Sequence, residues 1–272
     1  MTGETYEVLA VRYATYAGRK RRDNFLRPDG HLDAPYPLDF FVWVIRNAGR
    51  TIVVDTGFDE REAARRERSV THAPRDALAM AGVDAADVRD VIVTHLHFDH
   101  AGGVGQFPGA TFHVQDAEMA FATGRYMTYR HFAHAFSAEV VCDMVRAVFQ
   151  GRVCFHDGTD EIAPNVTVHR TGGHSAGLQV VRVLTRAGWL VLASDACHLY
   201  QNIREDNPFP LICHLGDMYE AFRTVRRLAS APALIIPGHD PLVMQAFPPL
   251  RADLADTVVR LDATPTTPPP ST

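Results

Sequence analysis

The sequence predicts an α+β fold in which sheets pack face to face and helices cover their outer surfaces. Turn signals at residues 47–49 and 186–188 join neighbouring apolar segments, which is typical of hairpins in a sheet. Helical patterns stand between the strand groups, and that order favours a sheet-on-sheet core with outer helices. The 272 residues are 46% hydrophobic and 22% charged, an ordinary globular composition that supplies enough apolar side chains for a sizeable core.

The first third of the chain is predicted to be mainly strands, because short apolar runs alternate with turn residues. These strands are expected at 6–13, 38–45, 51–55 and 91–94. Two helices are expected between the third and fourth strands, at 60–68 and 74–81. Pro74 stands at an early position of the second helix and Gly82 at its end, as helix termini favour.

The rest of the chain alternates between the two element types. Strands are predicted at 112–115, 166–170, 178–184, 189–193 and 233–236, and helices at 116–123, 137–149 and 216–229. Asp116 is expected to cap its helix, since Asp is a favoured residue before a first helical turn. The turn at 186–188 joins two of these strands as a second hairpin.

Composition excludes several classes of protein. No apolar run approaches the roughly 18 residues of a membrane span, and the N-terminus lacks the order of a signal peptide, so we expect a cytoplasmic protein with no membrane partner. The net charge of −5 gives no basic field for a nucleic acid. The cysteines, Cys142, Cys154, Cys197 and Cys213, form no C-x-x-C pair and are expected to be reduced packing residues.

One domain is predicted over residues 1–261, since no linker or internal repeat interrupts it. Residues 262–272 are rich in Pro and Thr and poor in large apolar side chains, so a disordered tail is expected there.

The strongest chemical signal is the segment T-H-L-H-F-D-H-A-G-G at residues 94–103. It offers four metal ligands within six residues, namely His95, His97, Asp99 and His100. Neither a helix nor a strand would bring all four to one face, so we expect a loop after the strand at 91–94. Such a loop can present two ligand pairs to two metal ions, and the following glycines supply backbone freedom.

Three more potential ligands follow predicted strands: His174 in T-G-G-H-S, Asp195 in A-S-D-A and His239 in I-P-G-H-D. Each alone is compatible with an ordinary turn. Together they repeat one arrangement, an apolar strand with a metal-binding side chain at its carboxyl end.

H-x-H-x-D-H followed by G-G-H, S-D-A and P-G-H-D resembles the metallo-β-lactamase superfamily over about residues 8–240. The resemblance implies an αββα sandwich of two mixed sheets with a dinuclear metal site. It implies one metal on His95, His97 and His174, a second on Asp99, His100 and His239, and Asp195 bridging them. Asp55 in V-V-D-T-G matches an early aspartate that supports a ligand histidine.

Five imidazoles and two carboxylates suit a borderline ion, so two Zn²⁺ are expected, with iron or manganese as alternatives. The implied chemistry is attack of a metal-bound hydroxide on a carbonyl, with Asp99 as the proton shuttle. The ligand spacings and the stretch around N-P-F at 207–209 resemble the N-acyl homoserine lactonase branch. We therefore expect a hydrolase that opens a lactone ring, with quorum quenching as its role.

Lactonases of that branch carry a Tyr three residues after the bridging Asp, whereas this chain has His198 there. His198 is predicted to assist the substrate carbonyl, and a residue that merely lines a loop is the competing interpretation. The substrate pocket is predicted to include Phe25, Tyr126, Tyr129 and Phe209. The basic segment 19–27 is taken by default as a solvated surface, with a pocket mouth or steering of an anionic substrate as alternatives.

Several other functions remain open from sequence. The same fold serves hydrolases of other lactones, esters, cyclic amides or thioesters, including glyoxalase II, although few residues follow His239 to form that enzyme's helical segment. A mononuclear iron oxygenase could use His95, His97, His174 and Asp195 alone. A β-lactamase, a nuclease and a non-catalytic binding module are disfavoured. A homodimer is left open by the apolar segment at 209–215.

Overall fold

The structure, a computed structural model, describes residues 4–27 and 30–267 as two β-sheets between layers of helices. The strands are β1 (Glu7–Tyr16), β2 (Leu38–Arg46), β3 (Thr51–Val54), β4 (Ser69–Val70), β5 (Asp90–Ile92), β6 (Thr111–Gln115), β7 (Val153–His156), β8 (Thr159–Ala163), β9 (Val166–Arg170), β10 (Gln179–Thr185), β11 (Gly188–Ser194), β12 (Ile235–Pro237) and β13 (Val258–Arg260). The helices are α1 (Glu60–Arg65), α2 (Pro74–Met80), α3 (Phe98–Ala101), α4 (Asp116–Ala122), α5 (Arg130–Ala133), α6 (Ala138–Phe149), α7 (Tyr200–Arg204), α8 (Leu215–Leu228) and α9 (Leu242–Ala246).

Both sheets are mixed. The first has the order β13-β1-β2-β3-β5-β6-β7, with β4 paired to β1, and its strands run parallel from β3 to β7. The second has the order β12-β11-β10-β9-β8, in which only the β11–β12 pairing is parallel. The hairpins predicted at 47–49 and 186–188 join β2 to β3 and β10 to β11.

Strand β2 shows how the layers are built, because eight consecutive residues of it are buried. Alternate side chains of a strand point to opposite faces. Phe41, Trp43 and Ile45 pack between the two sheets with Val168, Val181 and Leu192 of the second sheet. Phe40, Val42 and Val44 pack on the outer side of the first sheet. A strand that is covered on both faces has apolar residues at consecutive positions, as residues 40–45 do.

Helices close the two outer faces. Residues of α2 and α6, including Leu78 and Met144, pack on the first sheet, and Met218, Phe222 and Val225 of α8 pack on the second. The resulting order of layers is helix, sheet, sheet, helix. The predicted α+β sandwich is therefore confirmed.

The segment expected to be a loop, residues 95–100, is partly helical. The backbone N–H groups of His100 and Ala101 donate to the His97 carbonyl at 3.1 and 3.0 Å, so α3 begins directly after His97. A single helical turn here changes the direction of the ligand side chains within three residues. Asp116 is the first residue of α4 and not its cap; Gln115 occupies the cap position.

No helix in residues 4–27 and 30–267 is long and apolar enough to cross a membrane. After β13 the chain continues along the sandwich, where the Thr266 N–H donates to the Ala246 carbonyl at 2.8 Å. Residues 268–272, the end of the predicted tail, lie outside the described residues.

Candidate metal centre

Loops from both sheets meet at one edge of the sandwich. Strands β9 and β11 are both antiparallel to β10, and β12 is parallel to β11, so the carboxyl ends of β9, β11 and β12 lie at the same edge. The loops that follow them carry His174, Asp195 and His239, respectively. The loop after β5 and the short helix α3 bring residues 95–100 to the same place.

Three histidines form the first ligand group. His95 Nε2 lies 3.0 Å from His97 Nδ1, which lies 2.9 Å from His174 Nε2. All three side chains are buried. These nitrogens are close enough to share one ion.

Asp99, His100 and His239 form the second group. Asp99 Oδ2 lies 3.7 Å from His100 Nε2 and 3.8 Å from His239 Nε2. His100 and His239 are buried, and the Asp99 side chain keeps 12% of its surface exposed. Asp99 thus borders both the second group and open space.

Asp195 lies between the groups. Its Oδ2 is 3.2 Å from His174 Nε2 in the first group, and its Oδ1 is 3.1 Å from His239 Nε2 and 3.3 Å from His100 Nε2 in the second. One carboxylate therefore faces both sets of nitrogens. This is the arrangement in which a single side chain can bridge two cations.

The outward nitrogens of the ligand histidines are fixed by acceptors. His174 Nδ1 donates to the Leu211 carbonyl at 2.8 Å, and His239 Nδ1 to the Asp39 carbonyl at 2.9 Å. His100 Nδ1 donates to Asp55 Oδ2 at 2.7 Å. In its neutral form each of these rings carries its proton on Nδ1 and turns Nε2 to the centre, where it could bind a metal ion.

Asp55 stands in a loop directly after β3 with a positive φ of 59° and is fully buried. Besides His100, it accepts from the Thr94 N–H at 2.8 Å and the Thr94 hydroxyl at 2.9 Å. Burial raises the pKa of its carboxyl, while His100 and Thr94 oppose that rise. Its position matches the supporting role predicted from sequence.

Glu118 is a supporting residue that the sequence analysis missed. This buried carboxylate on α4 accepts from the Leu96 N–H at 2.9 Å, the Ser175 hydroxyl at 2.6 Å and the Gly177 N–H at 2.9 Å. It therefore ties the loop of His95 and His97 to the loop of His174. In the sequence, Glu118 is an acidic residue on the apolar face of the helix predicted at 116–123, and that position is the signal that could have identified it.

Burial and neighbouring charges set the protonation of the centre. Burial lowers the pKa of His95 and His97 well below the ordinary value, and the other imidazoles add to that effect. Although burial opposes it, the carboxylates of Asp195, Asp99 and Asp55 raise the pKa of His100. The His95 and His97 rings are accordingly neutral, as metal ligands must be.

The donor set fits divalent cations. Within the described residues, His100 Nε2 and Asp195 Oδ1 are buried without a hydrogen-bond partner. His95 Nδ1 donates a hydrogen bond to the Thr94 hydroxyl oxygen, and His174 Nδ1 donates one to the Leu211 carbonyl. The Nε2 atoms of both rings are therefore unprotonated, and both face His97. His97 Nδ1 can donate one proton to only one of these two nitrogens, so at least one lone pair remains for a cation. Imidazole nitrogens with carboxylate oxygens suit zinc and its neighbours.

The centre forms the floor of a cavity of about 460 Å³. His97, Asp99, His174, Asp195, His198 and His239 all border it. His198 Nε2 lies 2.8 Å from Asp195 Oδ2, and its ring stacks on Phe209 with centroids 3.3 Å apart. His198 and all the residues proposed from sequence as ligands thus lie in one cluster at one edge of the fold.

The four residues proposed for the substrate pocket do not border this cavity. Phe25 is buried against Leu38 and Leu199, and Phe209 is buried beneath His198. Tyr126 and Tyr129 are 49% and 58% exposed to solvent. The aromatic segment does reach the cavity, but through His131 and His134.

A model of the family described as the metallo-beta-lactamase superfamily matches residues 37–239. The chain belongs to this superfamily. Among its curated relatives, N-acyl homoserine lactonase AttM of Azorhizobium caulinodans is 29% identical over 175 residues, which cover 61% of this chain and 63% of that protein. N-acyl homoserine lactonase AiiA of Bacillus thuringiensis subsp. kurstaki is 29% identical over 168 residues, or 60% of each chain. The chain thus spans about three fifths of the length of the curated relatives it matches.

Two solved structures share the fold. A structure described as a quorum-quenching N-acyl homoserine lactone lactonase superposes with a TM-score of 0.70 at 22% identity, covering 89% of this chain and 94% of that one. AidC, described as a dizinc quorum-quenching lactonase, superposes with a TM-score of 0.69 at 19% identity, covering 89% and 90%. These likenesses extend over both sheets.

Proposed function

We propose that this chain is a dinuclear zinc hydrolase that opens a lactone ring. The observation that carries the proposal is the position of Asp195, whose two oxygens face two separate groups of histidine nitrogens. His95, His97 and His174 would hold one ion, and Asp99, His100 and His239 the other, with Asp195 shared. Iron or manganese could occupy the same donors.

The curated relatives support lactone opening as the reaction, because they are named N-acyl homoserine lactonases. The name of AidC supports a two-zinc centre. Quorum quenching is the role we propose if the native substrate is an N-acyl homoserine lactone.

When bound, the two ions would activate water and polarise the lactone carbonyl. Asp99 is placed to carry the proton, since its carboxylate borders both the second ligand group and the cavity. It would take a proton from the attacking water and deliver it to the ring oxygen that leaves as the carbonyl–oxygen bond breaks. The Tyr13 hydroxyl donates to the Asp99 carbonyl at 3.0 Å and holds this backbone in place.

His198 acts on Asp195 in this geometry. Burial lowers the pKa of His198 well below its ordinary value, so the ring is neutral and carries one N–H. That N–H lies on Nε2, which faces the Asp195 carboxylate, and Nδ1 is left without a proton to donate. We propose that His198 positions the bridging carboxylate; donating to a substrate carbonyl would require the ring to leave Asp195.

Metal content per chain and lactone-dependent acid release test the proposal together. We expect at least two zinc ions per chain and acid release from a panel of homoserine lactones and other lactones. Asp99→Asn should lower kcat by about 10²-fold or more, because proton transfer of this kind contributes 10²–10⁴-fold. Asp87→Asn, on an exposed loop, is the matched control and should leave kcat unchanged. A single iron per chain, or two zinc ions without turnover of any lactone, would overturn the proposed reaction.

A further inference from the structure

The wall of the cavity carries two arginines that have no carboxylate partner among the described residues. Arg19 is half-buried, and its guanidinium donates only to neutral acceptors, Asn24 Oδ1 at 2.8 Å and the Asp23 carbonyl at 2.6 Å. Arg68 stacks on the Tyr16 ring at 3.6 Å, and its buried Nε has no acceptor. Arg68 also donates to the Arg66 carbonyl, so neither guanidinium forms an ion pair with a carboxylate in the described residues.

The other two arginines of the wall differ from this pair. Arg22 forms an ion pair with Asp33, and Arg66 forms one with Glu62. Of the acidic side chains at the cavity, Asp99 and Asp195 belong to the metal centre and Asp23 caps the Lys20 N–H at 3.1 Å. The charges of Arg19 and Arg68 are thus the ones left available to a ligand.

Burial lowers the pKa of both Arg19 and Arg68, and the charge of Arg68 lowers the pKa of Arg19 further. Two desolvated like charges in one cavity are unfavourable unless an anion joins them. A guanidinium matches planar or tetrahedral oxyanions with two parallel N–H donors. The two arginines therefore favour a ligand that carries such an oxyanion group.

We propose that Arg19 and Arg68 bind an oxyanion group, carboxylate or phosphate, on the substrate of this centre. That the ligand is a substrate rests on the proposed function; the anion site itself rests on the arginines. The preferred lactone would then be an anionic one, with its charged group directed to Arg68 and its ring carbonyl to the metal floor.

Matched substrates test the selectivity. A phthalide that carries a ring carboxylate should be hydrolysed with a kcat/KM at least about 10-fold above that of its methyl ester. Arg19→Gln and Arg68→Gln should each bring this ratio close to one. Arg68→Lys should keep part of the preference for the carboxylate, because its charge is retained. Arg22→Gln should leave the ratio unchanged. A wild-type ratio of one or below would overturn the proposal.

Calorimetric binding measurements test the anion site independently of lactone hydrolysis. Benzoate or phenyl phosphate should bind at least about 10-fold more tightly than benzamide, and the stronger of the two anions identifies the oxyanion. Loss of that preference in Arg68→Gln supports the site even if no lactone is hydrolysed. Equal binding of benzoate, phenyl phosphate and benzamide would overturn it.

A second inference comes from a separate cluster at the far edge of the first sheet. His113 of β6 is paired in register with Cys154 of β7, and His156 lies two residues further along the same face. The His113 and His156 side chains are buried, with His113 Nδ1 3.1 Å from His156 Nε2. Cys154 Sγ and one ring nitrogen of each histidine lie within 4.8 Å of one another.

The outer nitrogens of both rings are bound to carboxylates. His113 Nε2 lies 3.1 Å from Asp90 Oδ1, and His156 Nδ1 lies 2.8 Å from Asp160 Oδ2. An ionised carboxylate only accepts hydrogen bonds, so both outer nitrogens carry the protons of neutral rings. Two lone pairs then face each other at 3.1 Å, which requires a proton or a metal ion between them.

We propose that His113, Cys154 and His156 bind a third, structural metal ion of the zinc type. Two zinc–nitrogen bonds of 2.0–2.1 Å at a tetrahedral angle place the nitrogens about 3.3 Å apart, near the observed 3.1 Å. The carboxylates of Asp90 and Asp160 supply the outer hydrogen bonds that metal-bound imidazoles use. Because Asp160 lies on β8, the ion would fasten the edge of the first sheet to the second.

Cobalt substitution tests this site independently of catalysis. The donor groups of the catalytic centre contain no sulfur. A thiolate-to-cobalt absorption band in the near ultraviolet should therefore appear when Co²⁺ is added to the metal-free chain. Cys154→Ser and His156→Gln should abolish the band and lower zinc content by one ion per chain, while the exposed Cys142→Ser should change neither.

If those variants do not fold, alkylation of the wild-type chain decides the question. Zinc should protect Cys154 from iodoacetamide and leave Cys142 reactive as an internal control. Absence of the cobalt band together with equal alkylation of Cys154 with and without zinc would overturn the third site.

Discussion

Asp55 Oδ2 lies 2.7 Å from His100 Nδ1, and this contact fixes which His100 nitrogen faces the candidate metal centre. The carboxylate can only accept from Nδ1, so Nε2 stays free for a metal ion. Asp55→Asn places an amide at the same position, and Asn tolerates the positive φ of this residue. The substitution therefore tests the hydrogen bond without straining the backbone.

We expect Asp55→Asn to weaken binding of one of the two ions by about 10–100-fold, the usual effect of losing such a supporting partner. Competition with a chromogenic chelator measures the two affinities. Asp87→Asn, on the surface, should bind both ions as the parent chain does. Unchanged affinities in Asp55→Asn would remove Asp55 from the supporting role.

Gly238 precedes His239 and packs against the bridging carboxylate. A Cβ at this position would lie 2.8 Å from Asp195 Oδ1 and 2.8 Å from the Ser194 carbonyl oxygen. Both separations are too short for a carbon atom, so Gly238→Ala must displace Asp195, the backbone of Ser194, or both.

Gly238→Ala is accordingly expected to lower metal content by at least one ion per chain and to lower kcat with it. Gly105→Ala is the control, since a Cβ there meets no atom within 4 Å. Metal analysis after dialysis measures the effect. Full metal occupancy in Gly238→Ala would contradict the close packing around Asp195.

The clustering of the candidate ligand residues could be predicted from sequence because they follow apolar strands in short, dense motifs. The chain itself brings His95, His97, Asp99 and His100 together within six residues. The strand directions then place the downstream ligands at the same edge. Local pattern and strand order were sufficient for this part of the site.

The cavity wall could not be predicted in the same way. Arg19 and Arg68 are 49 positions apart, and their approach to one cavity depends on how the loops after β1 and α1 pack. Tyr126 and Tyr129 belong to an aromatic segment whose Tyr126 ring packs with Phe121 and Phe132, and the two histidines of that segment face the cavity in their place. Residue type alone does not decide which side of a loop faces a pocket.

Edge strands were missed for a related reason. In β8 the first three residues are exposed and polar, so the strand shows no apolar alternation. Backbone pairing with β9 alone defines it. Such strands carry little hydrophobic pattern from which to be predicted.

Glu118→Gln tests the connection between the two histidine loops. Three donors surround this carboxylate, on Leu96, Ser175 and Gly177. An amide replaces one acceptor oxygen by an NH₂ group, so at least one backbone N–H is left facing a donor in a buried site.

A buried unsatisfied group of this kind costs about 1–3 kcal/mol, and we expect the free energy of unfolding of Glu118→Gln to fall by about 2 kcal/mol. Glu220→Gln changes a solvent-exposed residue of α8 and should shift the free energy of unfolding by less than about 0.5 kcal/mol. Urea denaturation of the zinc-loaded proteins gives both values. Equal stability of the two variants would show that Glu118 does not tie the loops.

Removal of the metal is expected to make stability sensitive to mild acid. Burial lowers the pKa of His95, His97 and His198 in the folded chain, whereas the unfolded chain has values near 6.5. The unfolded state therefore binds more protons at these positions as pH falls below about 6.5. Folded stability is fully present above that pH and is lost as pH drops towards the lowered values.

His100, whose pKa carboxylates raise, and Asp240, whose pKa burial raises to about 6, work in the opposite direction, but these two groups face three histidines with lowered values. The chelator-treated chain should thus lose thermal stability progressively from pH 7 to pH 5. In the zinc-loaded chain the ions occupy the imidazole nitrogens, so its melting temperature should change less over the same interval. Parallel melting curves for the two forms at pH 7 and pH 5 would show that the buried histidines are not the groups that bind the metal.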